Sequence, residues 1–427
     1  MNDILLPEGL TTLKACRVCG QNNLKDIISL GHQHLVDFLE DDSEKKLVAP
    51  LDLVLCDVNN SGCGLLQLQH TVPPDLLYRR FWYKSGVNQT IKNDLEDIVQ
   101  NIEKRISLEE GDFVIDIGAN DGTLLRFYKN LSLNLIGFEP AKNLMEDAKK
   151  GTTEIINNYF NSNDFIKKFG DKKAKVITSI SMFYDLEKPN DFVHELSEIL
   201  DSDGIWIVQM NYLITMLENN AFDNIVHEHL EYYSLQSLEF LLDKHDMEVY
   251  DLEFNNINGG SIRVYIKHKN CTKFITTNKV QETRQYEKNL GLDTEKPYFD
   301  FANRIKSLKN QTFDFIKNEI NNKKIIHVYG ASTRGNTLLQ YYGLDSTLIM
   351  AASERNPSKW GKRTAGTNIL IISEEESRKI NPDYYLILPW YFIDEFLKRE
   401  KSFLNKGGKF IVPLPELKII KYDDVFN

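Results

Sequence analysis

The stretch of residues 111–122, GDFVIDIGANDG, limits the fold more than any other part of the sequence. A short apolar run ends in a turn that carries Gly118 and Gly122, and a helix is predicted from about Thr123. Glycines at such a turn let the backbone approach a ligand closely at the carboxyl end of a parallel strand. The spacing is neither the G-x-G-x-x-G of a dinucleotide site nor a P-loop, because no Gly-Lys-Ser/Thr follows. This stretch therefore predicts an α/β domain with a ligand site at the turn.

An acidic residue ends the next predicted strand. Residues 133–138 form an apolar run that leads into Glu139, 23 positions after Asp116. That separation is close to the one at which an α/β site bonds a ribose hydroxyl pair. The D-x-G-x-N-D-G turn and Glu139 together resemble the S-adenosylmethionine site of class I methyltransferases, and a plain α/β turn is the alternative. The cofactor-binding residues that this resemblance implies are Asp116, Gly118, Asn120, Asp121, Gly122, Glu139 and Ser181.

Alternating strands and helices extend the pattern over one complete domain and then begin a second. Six or seven strands fit between residues 110 and 268, after a helix over 90–105. Residues 269–320 form a polar connector that is helical from about residue 295, and a new α/β unit begins at residue 324. A chain of 427 residues exceeds one ordinary core, so several domains are expected. Their predicted bounds are 1–80, 81–295 and 296–427.

Four of the five cysteines lie in the first 63 residues, within an N-terminal part predicted to be short and turn-rich. Such clustering indicates metal binding in a reducing compartment. A tetrahedral zinc site leaves no open position for substrate, so its role is structural. Free buried thiols or a redox pair are the alternatives, and His32 or His34 could replace one ligand. The predicted ligands are Cys16, Cys19, Cys56 and Cys63.

Residues 226–233, VHEHLEYY, gather two histidines, two carboxylates and two tyrosines between a predicted strand and a predicted helix. Histidine is the side chain whose ordinary pKa lies nearest neutrality, so the cluster suits proton transfer. A metal site and a polar loop are the alternatives. The residue types in this segment do not distinguish between proton transfer, a metal site and a polar loop.

A second glycine-bearing turn opens the last domain, at residues 330–336. Small residues, hydroxyls and an arginine at a helix N-terminus form an anion site suited to a phosphate, whereas a capped helix start is the alternative. An acidic ribose ligand is not evident there, so a second nucleotide-cofactor site is not predicted. The candidate substrate-binding residues are Ser332, Thr333, Arg334, Asn336 and, in the following loop, Arg355.

Taken in order, these parts resemble the nucleotide-sugar C-methyltransferase family of deoxysugar biosynthesis over essentially the whole chain. The implied fold is α/β: a class I methyltransferase domain of Rossmann-like architecture, flanked by a small N-terminal zinc-binding domain and a C-terminal Rossmann-like α/β domain. The implied cofactors are S-adenosylmethionine and a structural Zn²⁺. Val226 departs from the family pattern, in which a tyrosine precedes the first histidine.

The resemblance also implies a reaction. Such enzymes remove a proton beside the ketone of a nucleotide-linked 4-keto sugar, and the enolate attacks the methyl group of S-adenosylmethionine. His229 matches the general base, and Tyr83 matches a residue that bonds the ketone or enolate oxygen. His227 and Glu228 support the base, and Tyr232 lies beside the substrate.

Two other functions remain as alternatives: O- or N-methylation of another sugar or small metabolite, and a non-enzymatic interaction module. A net charge of −11 argues against a nucleic-acid partner. No apolar run approaches the ~20 residues needed to cross a bilayer, and the first residues lack a signal-peptide pattern. A cytoplasmic monomer or weak homo-oligomer without a membrane partner is expected.

Overall fold

The computed structural model describes residues 5–35, 38–39, 47–78, 84–129 and 132–426, apart from the side chain of Asn60. Within those ranges the N-terminal unit contains β1 (Thr11–Thr12), β2 (Leu24–His34), β3 (Phe38–Leu39), β4 (Val48–Cys56), β5 (Leu66–Leu68), β6 (His70–Thr71) and α1 (Asp75–Tyr78).

The prediction that the N-terminal part is short and turn-rich is wrong for β2 and β4, which have 11 and 9 residues. They pair antiparallel with two irregularities in register, and these bulges break the period-two pattern by which a strand is identified in a sequence. Leu51, Leu53 and Leu55 of β4 are buried on one face, and this apolar row packs the strand onto the core.

The central unit follows after residue 83. Its elements are α2 (Gln89–Arg105), β7 (Phe113–Ile117), β8 (Asn134–Phe138), α3 (Met145–Ala148), β9 (Glu154–Ile156), α4 (Ser162–Phe169), β10 (Ala174–Ile180), α5 (Pro189–Ile199), β11 (Leu200–Asn211), α6 (Leu213–Glu218), β12 (Glu231–Tyr232), α7 (Leu235–Asp243), β13 (Met247–Asn255) and β14 (Ser261–His268).

The predicted α/β sheet is confirmed. Seven strands lie in the order β13-β14-β11-β10-β7-β8-β9, with β14 antiparallel to β11 and the pairs from β11 to β9 parallel. The strand order reverses between β7 and β10, which places the turn after β7 and the end of β10 on either side of a crevice. Ligands bind open α/β sheets at such a point.

The helix predicted from Thr123 is wrong. Residues 123–129 contain only a single 3-10 turn at Leu125–Phe127. The guanidinium of Arg126 bonds the carbonyl oxygens of Asp121, Asp147 and Lys150, which ties this turn to α3 instead of extending it as a helix.

Helix α8 (Asn278–Asn289) packs against β13 and α7 of the central unit. The C-terminal unit contains α9 (Lys296–Asn321), β15 (Ile326–Tyr329), α10 (Thr333–Tyr342), β16 (Ala351–Glu354), β17 (Arg363–Thr364), β18 (Ile371–Ser373), α11 (Glu374–Ile380), β19 (Tyr384–Ile387), α12 (Ile393–Arg399), α13 (Lys401–Asn405), β20 (Lys409–Val412), β21 (Lys418–Ile420) and α14 (Asp423–Phe426). Its sheet has the order β18-β16-β15-β19-β20-β21. Helix α8 lies inside the predicted connector, ahead of the predicted helical part. Over the described residues, no helix combines the length and apolarity needed to cross a membrane.

The three units are joined by strand pairing between them. β12 of the central unit pairs antiparallel with β5, which gives the N-terminal sheet the order β12-β5-β4-β2. β3 pairs antiparallel with β17 of the C-terminal unit. Because β12 begins two residues after His229, the N-terminal sheet sets the position of the His-Glu-His segment.

Candidate functional site

The four N-terminal cysteine sulfurs meet beyond the end of β4. The Sγ atoms of Cys16 and Cys63 are 3.5 Å apart, those of Cys19 and Cys56 are 3.3 Å apart, and all four lie within 4.8 Å of one another. Sulfurs around a tetrahedral Zn²⁺ with Zn–S bonds of about 2.3 Å are separated by about 3.8 Å, so the cluster fits that ion. His32 and His34 do not belong to the cluster found among the described residues.

The long spacing between Cys56 and Cys63 is taken up by a compact loop. A 3-10 turn at Val58–Asn60 is capped by the Asp57 side chain, and Ser61 adopts a left-handed conformation with φ of 63°. A Cβ atom on Gly62 would lie 2.5 Å from the Asp57 carbonyl oxygen and 2.7 Å from the Cys56 sulfur. Glycine is therefore required where this loop returns to the sulfur cluster.

The turn after β7 is held by Glu139. Its Oε2 accepts the Asn120 backbone N–H at 2.8 Å and its Oε1 accepts that of Ala141 at 2.7 Å. Gly118 and Asn120 have φ of 76° and 51°, and a Cβ on Gly118 would lie 3.0 Å from Met182 Cγ. The left-handed backbone and the close approach explain why this turn carries glycine and asparagine.

Five of the seven predicted cofactor residues line one cavity of about 520 Å³ at the crevice: Asp116, Gly118, Asn120, Glu139 and Ser181. Asp121 and Gly122 do not. The Asp121 carboxylate instead accepts the Gly86 N–H at 2.9 Å and the Thr123 hydroxyl at 2.6 Å. Asp121 thus holds the segment that follows residues 79–83 against the turn.

Burial dominates the electrostatics of the two cavity carboxylates. It raises the pKa of Glu139 to about 7, against the lowering effect of two backbone amides. Burial likewise raises the pKa of Asp116 to about 7; the Thr178 hydroxyl bonded to it lowers this pKa, and the nearby Glu139 raises it. Each oxygen of Glu139 accepts a single backbone amide and keeps a lone pair for a ligand hydroxyl. The two Glu139 oxygens thus suit the hydroxyl pair of a ribose.

The His-Glu-His segment lines the same cavity. His229 Nδ1 lies 2.9 Å from the Asn224 carbonyl oxygen, which can only accept, so Nδ1 carries the proton. Nε2 of the neutral ring has no hydrogen-bond partner in the part of the chain that the structure describes, and it can accept a proton. Burial lowers the pKa of His229 to about 4, with a smaller contribution from the positive charge of Arg334. The imidazole is therefore neutral at physiological pH.

The other residues of this segment position it. His227 Nε2 donates to the Ala49 carbonyl oxygen of β4 at 3.0 Å, and the Tyr78 hydroxyl donates to the Glu228 carbonyl oxygen at 2.9 Å. The Tyr232 hydroxyl donates to Asn224 O at 3.3 Å and Tyr232 does not line the cavity. Tyr83, the predicted partner of the ketone oxygen, lies outside the described residues.

The C-terminal unit closes the cavity with Ser332, Thr333 and Arg334. The Arg334 guanidinium is paired with Asp223 at 2.7 Å, donates to the Asn258 carbonyl oxygen at 2.8 Å and lies over the Tyr391 ring. The predicted substrate residues Asn336 and Arg355 do not line it: Asn336 is buried in α10, and Arg355 is exposed.

Glu354 is the counterpart of Glu139 in the C-terminal unit, and it was not predicted from the sequence. At the end of β16 it accepts the backbone N–H groups of Ala331 and Asn356, the same pattern that Glu139 makes with its own turn. Lys359 Nζ donates to the Ala331 carbonyl oxygen at 2.7 Å and lies 3.6 Å from Glu354. The ammonium group of Lys359 therefore occupies this turn.

Asn211 was not predicted as a cavity residue, whereas Asp185 belongs to residues 181–186, which the sequence places at the ligand-binding end of a strand. Asp185 and Tyr184 follow β10, where residues at the end of a parallel strand could be expected to meet a ligand. The Tyr184 ring packs edge-on against His229, with the centroids 4.5 Å apart. Asn211 donates to the Asn224 side chain at 2.6 Å, a contact across the cavity wall that leaves no mark in the local sequence.

Comparison with known proteins decides the family. The chain is 32% identical to C-methyltransferase NovU of Streptomyces niveus over 426 residues, which cover 98% of this chain and 99% of that relative. This chain belongs to the C-methyltransferase family. Family models match this chain in three places: a zinc binding domain at residues 16–78, a methyltransferase domain at residues 88–252 and a C-methyltransferase C-terminal domain at residues 256–415.

Solved structures overlap with part of this C-methyltransferase. The plantazolicin methyltransferase BpumL in complex with SAH is 16% identical, with a TM-score of 0.32 over 41% of this chain and 82% of that one. An S-adenosylmethionine-dependent methyltransferase from Clostridium acetobutylicum ATCC 824 is 12% identical, with a TM-score of 0.33 over 41% and 91%. Together with the family, the cavity and the cysteine cluster assign S-adenosylmethionine and zinc to this enzyme.

Removing the Glu139 carboxylate is expected to weaken S-adenosylmethionine binding. A hydrogen bond to a charged group contributes about 1.5–3 kcal/mol, so Glu139→Ala should raise the dissociation constant by roughly 10- to 100-fold in titration calorimetry. Glu154→Ala is the matched control, because Glu154 lies in β9 of the same sheet and pairs with Lys168 at the surface. Equal affinities of Glu139→Ala and wild type would disprove the ribose assignment.

Proposed function

We propose that this C-methyltransferase acts on a nucleotide-linked 4-keto sugar, by removing the proton beside the ketone and methylating the resulting enolate carbon. The observation that carries the proposal is the hydrogen bond of His229 in the cavity. Its Nδ1–H donates to the Asn224 carbonyl oxygen, and its Nε2 has no hydrogen-bond partner among the described residues of the cavity. A neutral imidazole beside an S-adenosylmethionine site is suited to a carbon acid.

A base alone does not methylate carbon, because the enolate must be stabilised and protected from water. Bound S-adenosylmethionine supplies the electrophilic methyl group. Tyr83 is proposed to donate to the ketone oxygen as negative charge develops there. Tyr184 packs against the His229 ring and fixes its orientation. A base held in one orientation loses less entropy when it reaches the geometry for proton transfer.

The nucleotide part of the substrate is proposed to lie against the C-terminal unit. Helix α10 begins at Thr333, and its N-terminal amides carry the partial positive charge that favours a phosphate. Arg334 lies at the same place as a source of N–H donors, and its guanidinium is held in position by the Asp223 carboxylate and the Asn258 carbonyl oxygen. Ser332 caps α10 by accepting the Gly335 N–H, so its role is to order the turn.

The proposal predicts that a 4-ketone is required. Enzyme with labelled S-adenosylmethionine should methylate one or more members of a panel of nucleotide-linked 4-keto sugars, and mass spectrometry of the fragments should place the label on a ring carbon. The matched 4-hydroxy sugars should remain unlabelled, because their carbon-bound protons are not acidic. Methylation of a hydroxy sugar on oxygen, or of the matched pairs at equal rates, would contradict the proposal.

A further inference from the structure

Asp94 of α2 lines the same cavity as the cofactor turn, although it was not among the predicted cofactor residues. Its side chain is only 7% exposed. Gln209 Nε2 of β11 donates to Asp94 Oδ2 at 2.5 Å, and the Gln209 carbonyl oxygen accepts the backbone N–H of Ser181 at 2.8 Å. Because Ser181 directly follows β10 and also lines the cavity, one residue joins Asp94 to the cofactor crevice.

Arg263 of β14 holds the other carboxylate oxygen. Its Nη2 donates to Asp94 Oδ1 at 3.0 Å, its Nε donates to Gln209 Oε1 at 2.8 Å, and its side chain is 3% exposed. The Asp94 carboxylate is therefore fixed by one donor on each oxygen. Each oxygen keeps a lone pair with which it can accept a hydrogen bond from a ligand.

The positive charge of Arg263 is shared with further carboxylates. Its Nη1 lies 2.8 Å from Asp97 Oδ2 and 3.4 Å from Glu253 Oε2, and Glu253 has a second cationic partner in Arg105. Burial raises the pKa of Asp94, against the lowering effect of its two hydrogen-bond donors, and the negative charge of Asp97 adds to the increase. A ligand cation in the cavity would stabilise the ionised form of Asp94 and be stabilised by it.

The cofactor carries such a cation. S-adenosylmethionine has an α-ammonium group at its amino-acid end, and its sulfonium lies between that end and the ribose. In the strand order β11-β10-β7-β8, Gln209 lies in β11, Glu139 follows β8, and the turn at Gly118 lies between them. Asp94 and Glu139 thus suit the two ends of one elongated ligand. A nucleotide-linked substrate is anionic and would be repelled by Asp94.

We propose that Asp94 binds the α-ammonium group of S-adenosylmethionine, with its carboxylate oriented by Arg263 and Gln209. The contact anchors the amino-acid end of the cofactor, as Glu139 anchors the ribose. Asp116 is a cavity carboxylate of a different kind, because a neutral hydroxyl bonds it and its pKa is about 7. The guanidinium bonded to Asp94 favours the ionised carboxylate that an ammonium group requires.

The test compares S-adenosylhomocysteine with its deamino analogue, in which hydrogen replaces the amino group, by titration calorimetry. Wild type should bind the deamino analogue roughly 10- to 100-fold more weakly, the range expected for a hydrogen bond between charged groups. Asp94→Asn keeps the size of the side chain and removes its charge, so its affinity for S-adenosylhomocysteine should fall by the same factor. Its affinity for the deamino analogue should equal that of wild type, since the group that Asp94 binds is absent from that ligand.

Asp97→Asn is the matched control, because Asp97 pairs with the same Arg263, is 55% exposed and lies outside the cavity. It should bind both ligands as wild type does. The proposal would be overturned if Asp94→Asn lost affinity for both ligands equally, or if Asp97→Asn lost as much, because the ion pair would then support the fold. Unchanged affinity of Asp94→Asn for S-adenosylhomocysteine would also overturn it.

S-adenosylmethionine is titrated in parallel to separate its two cations. The loss of affinity in Asp94→Asn should be the same as with S-adenosylhomocysteine, which keeps the ammonium group and lacks the sulfonium. A loss confined to S-adenosylmethionine would assign Asp94 to the sulfonium and contradict the proposal. These measurements need no sugar, so their outcome is independent of the substrate assignment.

Discussion

His229→Asn is expected to lower methyl transfer by about 10²- to 10⁴-fold, the range that a general base contributes. Asparagine can donate its side-chain N–H to the Asn224 carbonyl oxygen, as His229 Nδ1 does, but it cannot accept a proton at physiological pH. S-adenosylmethionine should therefore bind with unchanged affinity. Calorimetry and initial rates with the same preparation separate the two effects.

The pH dependence provides a second readout of this prediction. Because burial lowers the pKa of His229 to about 4, the base is unprotonated above that value and the wild-type rate should not fall through protonation of His229 between pH 8 and 6. An exposed histidine on α5 offers a control, His194→Asn, which should leave the rate unchanged. Full activity of His229→Asn would show that His229 is not the general base.

Cys16→Ser is expected to reduce zinc from one ion per chain to less than about a tenth, since structural zinc sites contribute roughly 10 kcal/mol or more to folding of small metal-binding units. The N-terminal sheet should become less stable than the central sheet, and β12 should lose protection with it. Metal analysis and hydrogen exchange over residues 47–78 measure the two effects.

Cys271→Ser provides the control, because Cys271 is a buried free thiol outside the cluster. It should retain zinc and the exchange pattern of wild type. If the wild type carries no zinc, or if Cys16→Ser keeps a full ion, the four-cysteine assignment is wrong.

The parts that sequence predicted are those fixed by local chemistry. The turn around Gly118 requires left-handed backbone, and Glu139 ends the neighbouring strand, so both follow from patterns of residues close in the chain. The capped start of α7 is likewise a local feature, because the Ser234 side chain accepts the Ser237 backbone N–H. Motif spacing and periodicity suffice for such elements.

Contacts between units could not be predicted in this way. The Asp223–Arg334 pair joins residues 111 positions apart, and β12 pairs with a strand of another unit. The two-residue length of β12 carries no periodic signal, and Arg17 looks like a surface residue of a zinc knuckle until its buried partners are known. These features depend on tertiary packing, which cannot be predicted from the local patterns of a single sequence.

His229 is proposed to remove the proton beside the ketone of a nucleotide-linked sugar. The direct test is incubation of a 4-keto sugar substrate in D₂O with enzyme and S-adenosylhomocysteine, followed by mass spectrometry against an enzyme-free sample. Wild type should introduce deuterium at the carbon that is methylated in the complete reaction, and His229→Asn should not exceed the enzyme-free rate. Deuterium incorporation by His229→Asn at the wild-type rate would contradict the claim.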